Sequence, residues 1–386
     1  MEAKIVVDRK RLEQKLAVLK KLAGRKTSLE ILDCVFLAIT DDNQLLMQAT
    51  DLETAYMTQI QGIETEADEN PYRGKPTRHY RIPVTMPNRM CIPVAKLMAA
   101  VKAVPKKQKA ISIEVLENCW HRINGTISMV GMDPDDFPDI PDMQYGVYHK
   151  VFDVDNLDQV LCVAGNKDDR RAHIMGALLN FRTGEMVKTD GSRLHVSKMG
   201  TAPYDNTLVP GPGLQFLTVK GVKEHIGNVR VAGKYIFVNL DDDSYVAIRL
   251  LEGQYPLYEE IVNTRDRDIT GHIMALGKKD LMETIKEAMA ITSDNYPAVI
   301  LNLNGEVNVK SHNPNIGEFL KTVPGRIKYV GEPVEVAFHP GYILAALDQI
   351  PSDETFGIQI TQDNEGPCIF GSETVGFKAA IMPMRL

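Results

Sequence analysis

The sequence contains Ala49-Thr50-Asp51-Leu52-Glu53 and, later, Lys188-Thr189-Asp190-Gly191, and the repeated Thr-Asp pair sets the framework for the fold. Each pair follows a strand-like stretch, where Thr and Asp side chains commonly accept hydrogen bonds from nearby backbone N–H groups. We therefore interpret both pairs as turns or caps at equivalent places in two repeats. A catalytic pair of carboxylates, Asp51 and Asp190, is the alternative that the residue types leave open.

Further spacings indicate three copies of one domain. Amphipathic helical patterns occur three times, followed each time by strand-like alternation, and a second helical segment follows in each third. The first helices are predicted at Asp8–Gly24, Asp153–Asp169 and Gly277–Ser293, and the second at Pro93–Val104, Val219–Ile226 and Pro340–Ile350. A hydrophobic or aromatic residue followed by proline also recurs, at Phe137-Pro138, Tyr255-Pro256 and Met382-Pro383. Chance is the competing explanation for the spacings.

These patterns predict an α+β fold of three repeated domains, each with two helices and an antiparallel sheet. The predicted domains cover residues 1–145, 146–266 and 267–386. An extended loop at about 62–84 interrupts the first, where acidic residues precede Arg73, Lys75 and Arg78. A long polar loop of this kind is typical of a solvated hairpin connection, and a contact with a partner is the functional alternative.

Composition excludes several classes of protein. The 386 residues carry a formal net charge of −7, which argues against coating nucleic acid by bulk positive charge. No apolar run is long enough to span a membrane. The five cysteines are scattered without metal-ligand spacing, so we expect neither a disulfide framework nor a metal site. This use of cysteine also predicts that the protein works in a reducing cytoplasm. Motifs for phosphate loops, dinucleotide sites and zinc proteases are absent, and we expect no cofactor.

Five stretches together resemble the signature segments of the bacterial sliding clamp, the DNA polymerase III beta subunit. They are Ala49–Glu53, Asp136–Pro138, Thr189–Leu194, Glu252–Pro256 and Met382–Leu386, and they occur in the family's order over essentially the whole chain. The resemblance implies a homodimer, joined head to tail, whose six domains form a ring around double-stranded DNA. Such a ring is a non-catalytic processivity factor. Twelve helices of about 10 Å diameter would leave a hole of about 28 Å, wider than a duplex of about 20 Å.

The charge pattern is consistent with a basic lining. Residues 8–26 carry a net charge of +6 and residues 92–107 carry +4, although the whole chain carries −7. By position in the family pattern, the candidates for contact with DNA phosphates are Arg25, Lys96, Lys102 and Lys220. The alternative is that these are ordinary solvated helix residues.

The family also binds short linear motifs of polymerases, the clamp loader and repair proteins in a pocket between its second and third domains. Carried over residue by residue, the resemblance implies a pocket lined by Arg171, Ile174, Thr189, Gly191, Arg193, Leu194, Pro256, Ile261, Pro367, Met382, Pro383 and Met384. Leu, Ile and flexible Met side chains suit an adaptable apolar cleft, and we expect the arginines to hold its polar edge. Core filling by Met382 and Met384 is the alternative.

The resemblance assigns the dimer interface to Ile127, Met129 and Ile291. The sequence departs from the family where Ser192 replaces a frequent histidine, where Glu259-Glu260 replaces basic residues, and where Thr292 replaces an apolar residue. Acidic residues at the pocket rim would change which charges a partner motif tolerates.

Two other functions stay open from sequence alone. One is a metal-dependent enzyme acting on nucleic acid or nucleotides through Asp51 or Asp190. The other is a monomeric interaction scaffold that has the clamp fold and the peptide pocket but forms no ring.

Overall fold

A computed structural model describes residues 3–24, 28–63, 88–143, 146–163, 171–240, 243–263, 269–293, 297–361 and 366–385. Arg25 and nearly all of the predicted 62–84 loop lie outside these ranges. The chain divides into two compact units, which we call the first unit (residues 1–152 and 212–250) and the second unit (residues 153–211 and 251–386). The division into domains at 1–145, 146–266 and 267–386 stays a prediction.

The first unit contains two antiparallel sheets, with elements numbered here in chain order. Its strands are β1 (Lys4–Asp8), β2 (Cys34–Ile39), β3 (Gln44–Thr50), β4 (Thr54–Gln61), β5 (Arg89–Pro93), β6 (Ala110–Val115), β7 (Trp120–Ile123), β8 (Ile127–Val130), β13 (Ile226–Ala232), β14 (Tyr235–Leu240) and β15 (Ser244–Arg249). Its helices are α1 (Arg9–Leu22), α2 (Val94–Ala103) and α5 (Gly211–Leu217), whose first residue falls in the second unit. The strand orders are β1-β6-β7-β8 and β13-β14-β15-β4-β3-β2-β5.

The second unit also contains two antiparallel sheets. Its strands are β9 (Gly176–Asn180), β10 (Glu185–Thr189), β11 (Arg193–Lys198), β12 (Thr207–Pro210), β16 (Ile269–Leu276), β17 (Val299–Leu303), β18 (Val307–Asn313), β19 (Gly317–Thr322), β20 (Ile327–Gly331), β21 (Val334–Phe338), β22 (Thr355–Thr361), β23 (Cys368–Ser372) and β24 (Phe377–Ile381). Its helices are α3 (Val154–Leu161), α4 (Ala172–Met175), α6 (Tyr258–Val262), α7 (Lys279–Met289) and α8 (Pro340–Asp348). The strand orders are β12-β9-β10-β11-β24-β23-β22-β16-β20 and β19-β18-β17-β21.

The helices form where the apolar periodicity predicts them. In α1, Leu12, Leu16 and Leu19 are fully buried at intervals of four and three residues, which places them on one face. The Asp8 carboxylate caps this helix by accepting a hydrogen bond from the Arg11 N–H at 2.8 Å. In α7, Leu281 and Ile285 are buried in the same manner. None of the helices in the described ranges is both long and apolar enough to cross a membrane.

The two large sheets repeat one strand order. The seven-stranded sheet, taken as β5-β2-β3-β4-β15-β14-β13, matches the first seven strands of the nine-stranded sheet, β12-β9-β10-β11-β24-β23-β22. In both, four strands that are consecutive in the chain join three strands from a later segment. Since the pairings along both series are antiparallel, the sheets are copies of one arrangement. The predicted repeat and the predicted α+β class are confirmed.

The second helix of the middle third is misplaced in the prediction. The structure has α5 at Gly211–Leu217, whereas residues 219–226 contain a turn and a single 3₁₀ turn at Lys223–His225. Pro212 lies in the first turn of α5, where a missing backbone N–H leaves no helical hydrogen bond unmade. Gly221, with φ of +90°, has a left-handed backbone that a helix does not accept. The prediction Val219–Ile226 was therefore wrong.

Candidate functional site

The Thr189-Asp190 pair holds a tight turn between β10 and β11. The Thr189 hydroxyl donates to the Arg193 carbonyl at 2.8 Å and accepts from the Gly191 N–H at 3.1 Å. One Asp190 carboxylate oxygen accepts from the N–H groups of Ser192 and Arg193, each at 3.0 Å. Gly191 has φ of +91°, so the residue without a side chain occupies the left-handed position.

The same hydrogen bonds recur between β3 and β4. The Thr50 hydroxyl donates to the Thr54 carbonyl at 2.9 Å and accepts from the Leu52 N–H at 3.0 Å. The Asp51 carboxylate accepts from the N–H groups of Glu53 and Thr54 at 3.2 and 2.7 Å. Both aspartates therefore bond to the backbone of their own turns, and the structural interpretation of the Thr-Asp pairs is confirmed.

The turn at Gly191 lies beside two of the predicted pocket residues. A Cβ built on Gly191 would lie 3.6 Å from Ile174 Cδ1 and 4.0 Å from a terminal nitrogen of Arg171. Ile174 is buried and Arg171 is exposed. The structure thus brings Arg171, Ile174 and Gly191 together, with an apolar side chain inside and a cationic one outside.

An apolar cluster forms the floor next to this turn. Leu194 of β11 is buried among Tyr258 and Val262 of α6, and Ile261 packs against the same cluster. Pro256 is exposed just before α6, and Pro367 is half-buried just before β23. The sequence alone did not identify Tyr258, although its position after Tyr255-Pro256 in an apolar pattern was the available signal.

The C-terminal segment closes one side of the site. The Met382 N–H donates to the Ser192 carbonyl at 3.0 Å, and the Met384 N–H donates to the Ala337 carbonyl at 2.7 Å. Met382 is 40% exposed, and Pro383 and Met384 are half-buried. Partial exposure of these flexible side chains beside the turn fits a surface that adapts to a ligand.

Arg193 does not take the place expected for it at the polar edge. Its side chain is only 9% exposed, and its Nε donates to Asp190 at 3.0 Å. A terminal nitrogen donates to the Cys162 carbonyl at 3.2 Å, and the guanidinium lies over the Tyr342 ring. Arg193 therefore supports the turn from inside, and the expectation that both arginines hold the edge is corrected to Arg171 alone.

Two buried groups under the site have shifted pKa values. Burial is the main cause that lowers the pKa of His195 to about 4, and burial likewise lowers the pKa of Lys188. His195 Nδ1 lies 2.9 Å from the Gln159 carbonyl, which fits a neutral ring donating from that nitrogen. These groups belong to the interior of the sheet and helix α3, so their role is in stability.

The candidate DNA contacts are divided between a helix and a turn. Lys96 and Lys102 are exposed on α2, as predicted. Lys220 is exposed but follows α5 in a turn, so its assignment to a helix is corrected. The candidates assigned by position in the family pattern do not include residues of α1, although Lys10, Arg11 and Lys20 are exposed on that helix.

The candidate interface residues lie at strand and helix ends. Ile127 and Met129 are half-buried on β8, at the edge of its four-stranded sheet. Ile291 is half-buried just beyond α7. Strand β19 lies at the edge of the other four-stranded sheet, and its Leu320, which the sequence did not single out, is 67% exposed.

Comparisons with known proteins agree over the full length of the chain. No family model matches. The beta sliding clamp of Chlamydia muridarum is 23% identical over 403 aligned residues, covering 99% of both chains. That of Proteus mirabilis is 22% identical, covering 99% of this chain and all of the relative. The crystal structure of the DNA polymerase sliding clamp from Bacillus subtilis matches with a TM-score of 0.82 at 19% identity, covering 100% of both chains.

The fold is therefore that of the DNA clamps. More specifically, the chain is similar over its whole length to curated beta sliding clamps of bacteria. The resemblance drawn from the sequence motifs is confirmed.

Proposed function

We propose that the chain is a DNA polymerase processivity factor, a sliding clamp that encircles duplex DNA and tethers replication proteins without catalysing a reaction. The observation that carries the proposal is the match to beta sliding clamps from end to end of both chains. A shared strand order in both large sheets supports it, because ring clamps are built from repeated domains. The backbone-bonded state of Asp51 and Asp190 favours this function over an enzyme that uses them.

The mechanism we propose is topological. A closed ring holds DNA because escape requires an interface to open, and weak phosphate contacts allow movement along the duplex. The exposed Lys96 and Lys102 of α2, together with the exposed basic residues of α1, supply such contacts. Arg25 and Lys220 stay candidates by their position in the family pattern.

Ring closure requires two copies of the chain. We propose that β8 of one protomer lies against β19 of its partner, because both are edge strands with free main-chain groups on one side in the described part of the chain. Ile127 and Met129 would then meet apolar groups near Leu320 and Ile291. A head-to-tail arrangement with two equal interfaces closes the ring.

The second proposed site is the peptide pocket around the Gly191 turn. Its walls are the residues carried over from the family, with Leu194 and Ile261 in the apolar floor and Met382 partly exposed at one side. A short motif with apolar side chains would bind there, as expected for polymerases, the clamp loader and repair proteins. Glu259 and Glu260 are exposed in the first turn of α6, so basic residues flanking the motif would be favoured.

The decisive experiment is retention on DNA after loading, compared between nicked circular and linear molecules. A sliding ring stays on the circle and runs off the ends of the linear DNA, so retention should differ strongly. Equal and rapid loss from both would leave the monomeric scaffold as the better explanation. Metal-dependent turnover of nucleic acid by the purified protein alone would favour the enzyme. Because such a clamp acts on replicating DNA, we also propose that the protein works in the cytoplasm.

A further inference from the structure

Two glycines lie side by side inside the nine-stranded sheet. Gly357 of β22 is directly opposite Gly371 of β23, and no register shift occurs between these two strands. A glycine in the interior of a strand commonly marks a bulge, a left-handed backbone or a place where another group approaches the chain closely. Neither glycine has a positive φ. The first two reasons for glycine therefore do not apply to this pair.

Packing inside the protein does not require a glycine at position 357 either. A Cβ built on Gly357 would have the Ile273 carbonyl oxygen as its nearest contact, at 3.8 Å, which is an ordinary van der Waals distance. Gly371 is more crowded, since its Cβ would lie 3.1 Å from the Phe377 carbonyl oxygen. The space above Gly357 is thus left for a group that approaches from outside the sheet.

The glycine pair lies in a row of residues that crosses five strands, which we call the glycine trough. In order across the sheet, the register places in this row Lys378, Gly371, Gly357, Met274 and Lys328. Side chains alternate between the two faces of a strand, and Phe356 and Ile358, on either side of Gly357, are buried in the core. The trough therefore faces away from the core.

Larger side chains flank the glycines along the strands. On β22, Thr355 and Gln359 are the next residues on the same face as Gly357. On β16, Leu276 lies beside Met274 on that face, and the two are 47% and 60% exposed. An extended chain laid across the strands would find main chain as its floor at the glycines and an apolar contact at Met274.

A lysine stands at each end of the trough. Within the described residues, the Lys328 side chain makes no hydrogen bond or ion pair, and Lys378 makes one long hydrogen bond, of 3.5 Å, to the Asn263 side chain. The neighbouring carboxylates are those of Glu373, in the turn after β23, and Glu332, just beyond β20, and neither lies in the row. Four strand spacings of about 4.8 Å separate the two lysines, so they lie roughly 19 Å apart.

We propose that the glycine trough binds an extended acidic segment of a partner protein, in which two carboxylates six residues apart face the two lysines. An extended chain advances about 3.3 Å per residue, so six steps span about 20 Å and match the separation of the lysines. The main chain of the segment would lie close to Gly357, and an apolar side chain between the acids would contact Met274. A second copy of this chain fits poorly, because its own lysines would meet the same two lysines. This surface is separate from the Gly191 turn.

Fluorescence anisotropy with labelled peptides, blocked at both ends, tests the trough on the full chain. The probe is Asp-Thr-Ala-Thr-Leu-Thr-Asp. Its isomer Thr-Thr-Asp-Leu-Asp-Thr-Ala has the same composition, but its acids are only two residues apart. The wild-type protein should bind the probe about tenfold more tightly than the isomer, because only the probe reaches both lysines.

Gly357→Val fills the trough without changing a charge. It should weaken the probe about tenfold while thermal stability does not fall, since valine suits a strand and its Cβ would meet no close contact. Lys328→Glu with Lys378→Glu should reverse the charge preference, toward Lys-Thr-Ala-Thr-Leu-Thr-Lys. Met382→Ala is the matched control, because it changes the proposed pocket at the Gly191 turn and leaves the trough intact. It should not alter the affinity for the probe.

The proposal is overturned if the probe does not bind, if the probe and its isomer bind equally, or if Met382→Ala weakens the probe as much as Gly357→Val does. Sedimentation velocity of the wild-type protein and Gly357→Val tests the other occupant. Self-association that Gly357→Val abolishes would show that a second copy occupies the trough, and would equally refute the acidic segment.

Discussion

The guanidinium carbon of Arg193 lies 4.5 Å from the centroid of the Tyr342 ring, which ties the turn after β10 to helix α8. Tyr342 in turn stacks on His339, with ring centroids 4.4 Å apart. The turn that carries Gly191 is therefore supported from beneath by residues distant in the sequence. This support explains how a surface turn can present a fixed side to a ligand.

Replacing Tyr342 tests that support. Tyr342→Leu should lower the free energy of unfolding by about 1 kcal/mol, because it removes the aromatic face under a partly desolvated cation. Tyr342→Phe retains the face and is the control, with little change expected. Urea denaturation measures both, and an equal loss in the two variants would show that the hydroxyl matters instead of the ring.

The two Thr-Asp turns should differ in their contribution to stability. Asp51→Ala removes a backbone cap and should cost about 1 kcal/mol. Asp190→Ala should cost about 3 kcal/mol, since it also leaves the buried Arg193 guanidinium without its carboxylate. Thermal and urea unfolding of both variants give the comparison. If the enzyme alternative were correct, either substitution would instead abolish a turnover measured with the folded protein.

The sequence predicted the parts of this site that depend on local patterns. The Thr-Asp turns follow from side-chain chemistry within five residues, and α1 follows from apolar spacing. The order of strands in the large sheets did not follow, because it depends on pairing between distant segments such as β4 with β15. The position of α5 was missed because Pro212 lies in its first turn, and proline is accepted there although it disrupts the interior of a helix.

The burial of Arg193 illustrates the same limit. Its sequence neighbours identify a motif, but two of its partners, Cys162 and Tyr342, reach it only in the folded chain. An arginine beside an exposed turn therefore fits either a rim or an interior position until the long-range packing is known. Arg171, by contrast, is exposed as expected.

Acid should destabilise the protein through its buried histidines. Burial lowers the pKa of both His121 and His195 to about 4, from about 6.5 in an unfolded chain. The unfolded state therefore binds protons more readily, so stability is full above about pH 6.5 and falls as the pH decreases toward 4. Each histidine contributes on the order of 3 kcal/mol to this loss. His121→Leu should reduce the slope of unfolding free energy against pH, measured by urea denaturation at a series of pH values.

Dimer formation should depend on the edge strand β19. Leu320→Asp places a charge in the proposed interface and should weaken self-association about a hundredfold, because an unpaired charge would be buried there. Val330→Asp is a matched control, since Val330 is 68% exposed on β20, at the edge of the other sheet. Sedimentation velocity over a range of concentrations distinguishes the two. Equal effects, or none, would place the interface elsewhere.

Truncating an apolar side chain of the peptide pocket should weaken the binding of a partner motif. Leu194 is buried in the core, so Leu194→Ala would cost about 3 kcal/mol of stability and Met382→Ala is the cleaner truncation. We expect Met382→Ala to weaken a Leu-Phe motif peptide about fivefold, through lost apolar contact.

The charge at the rim of the peptide pocket should set the choice of partner motif. In the unaltered pocket, a motif peptide flanked by arginine should bind better than one flanked by glutamate. Glu259→Lys with Glu260→Lys should reverse that preference, because both carboxylates are exposed at the first turn of α6. Anisotropy with both labelled peptides measures the reversal, and an unchanged order of affinities would show that α6 does not border the bound motif.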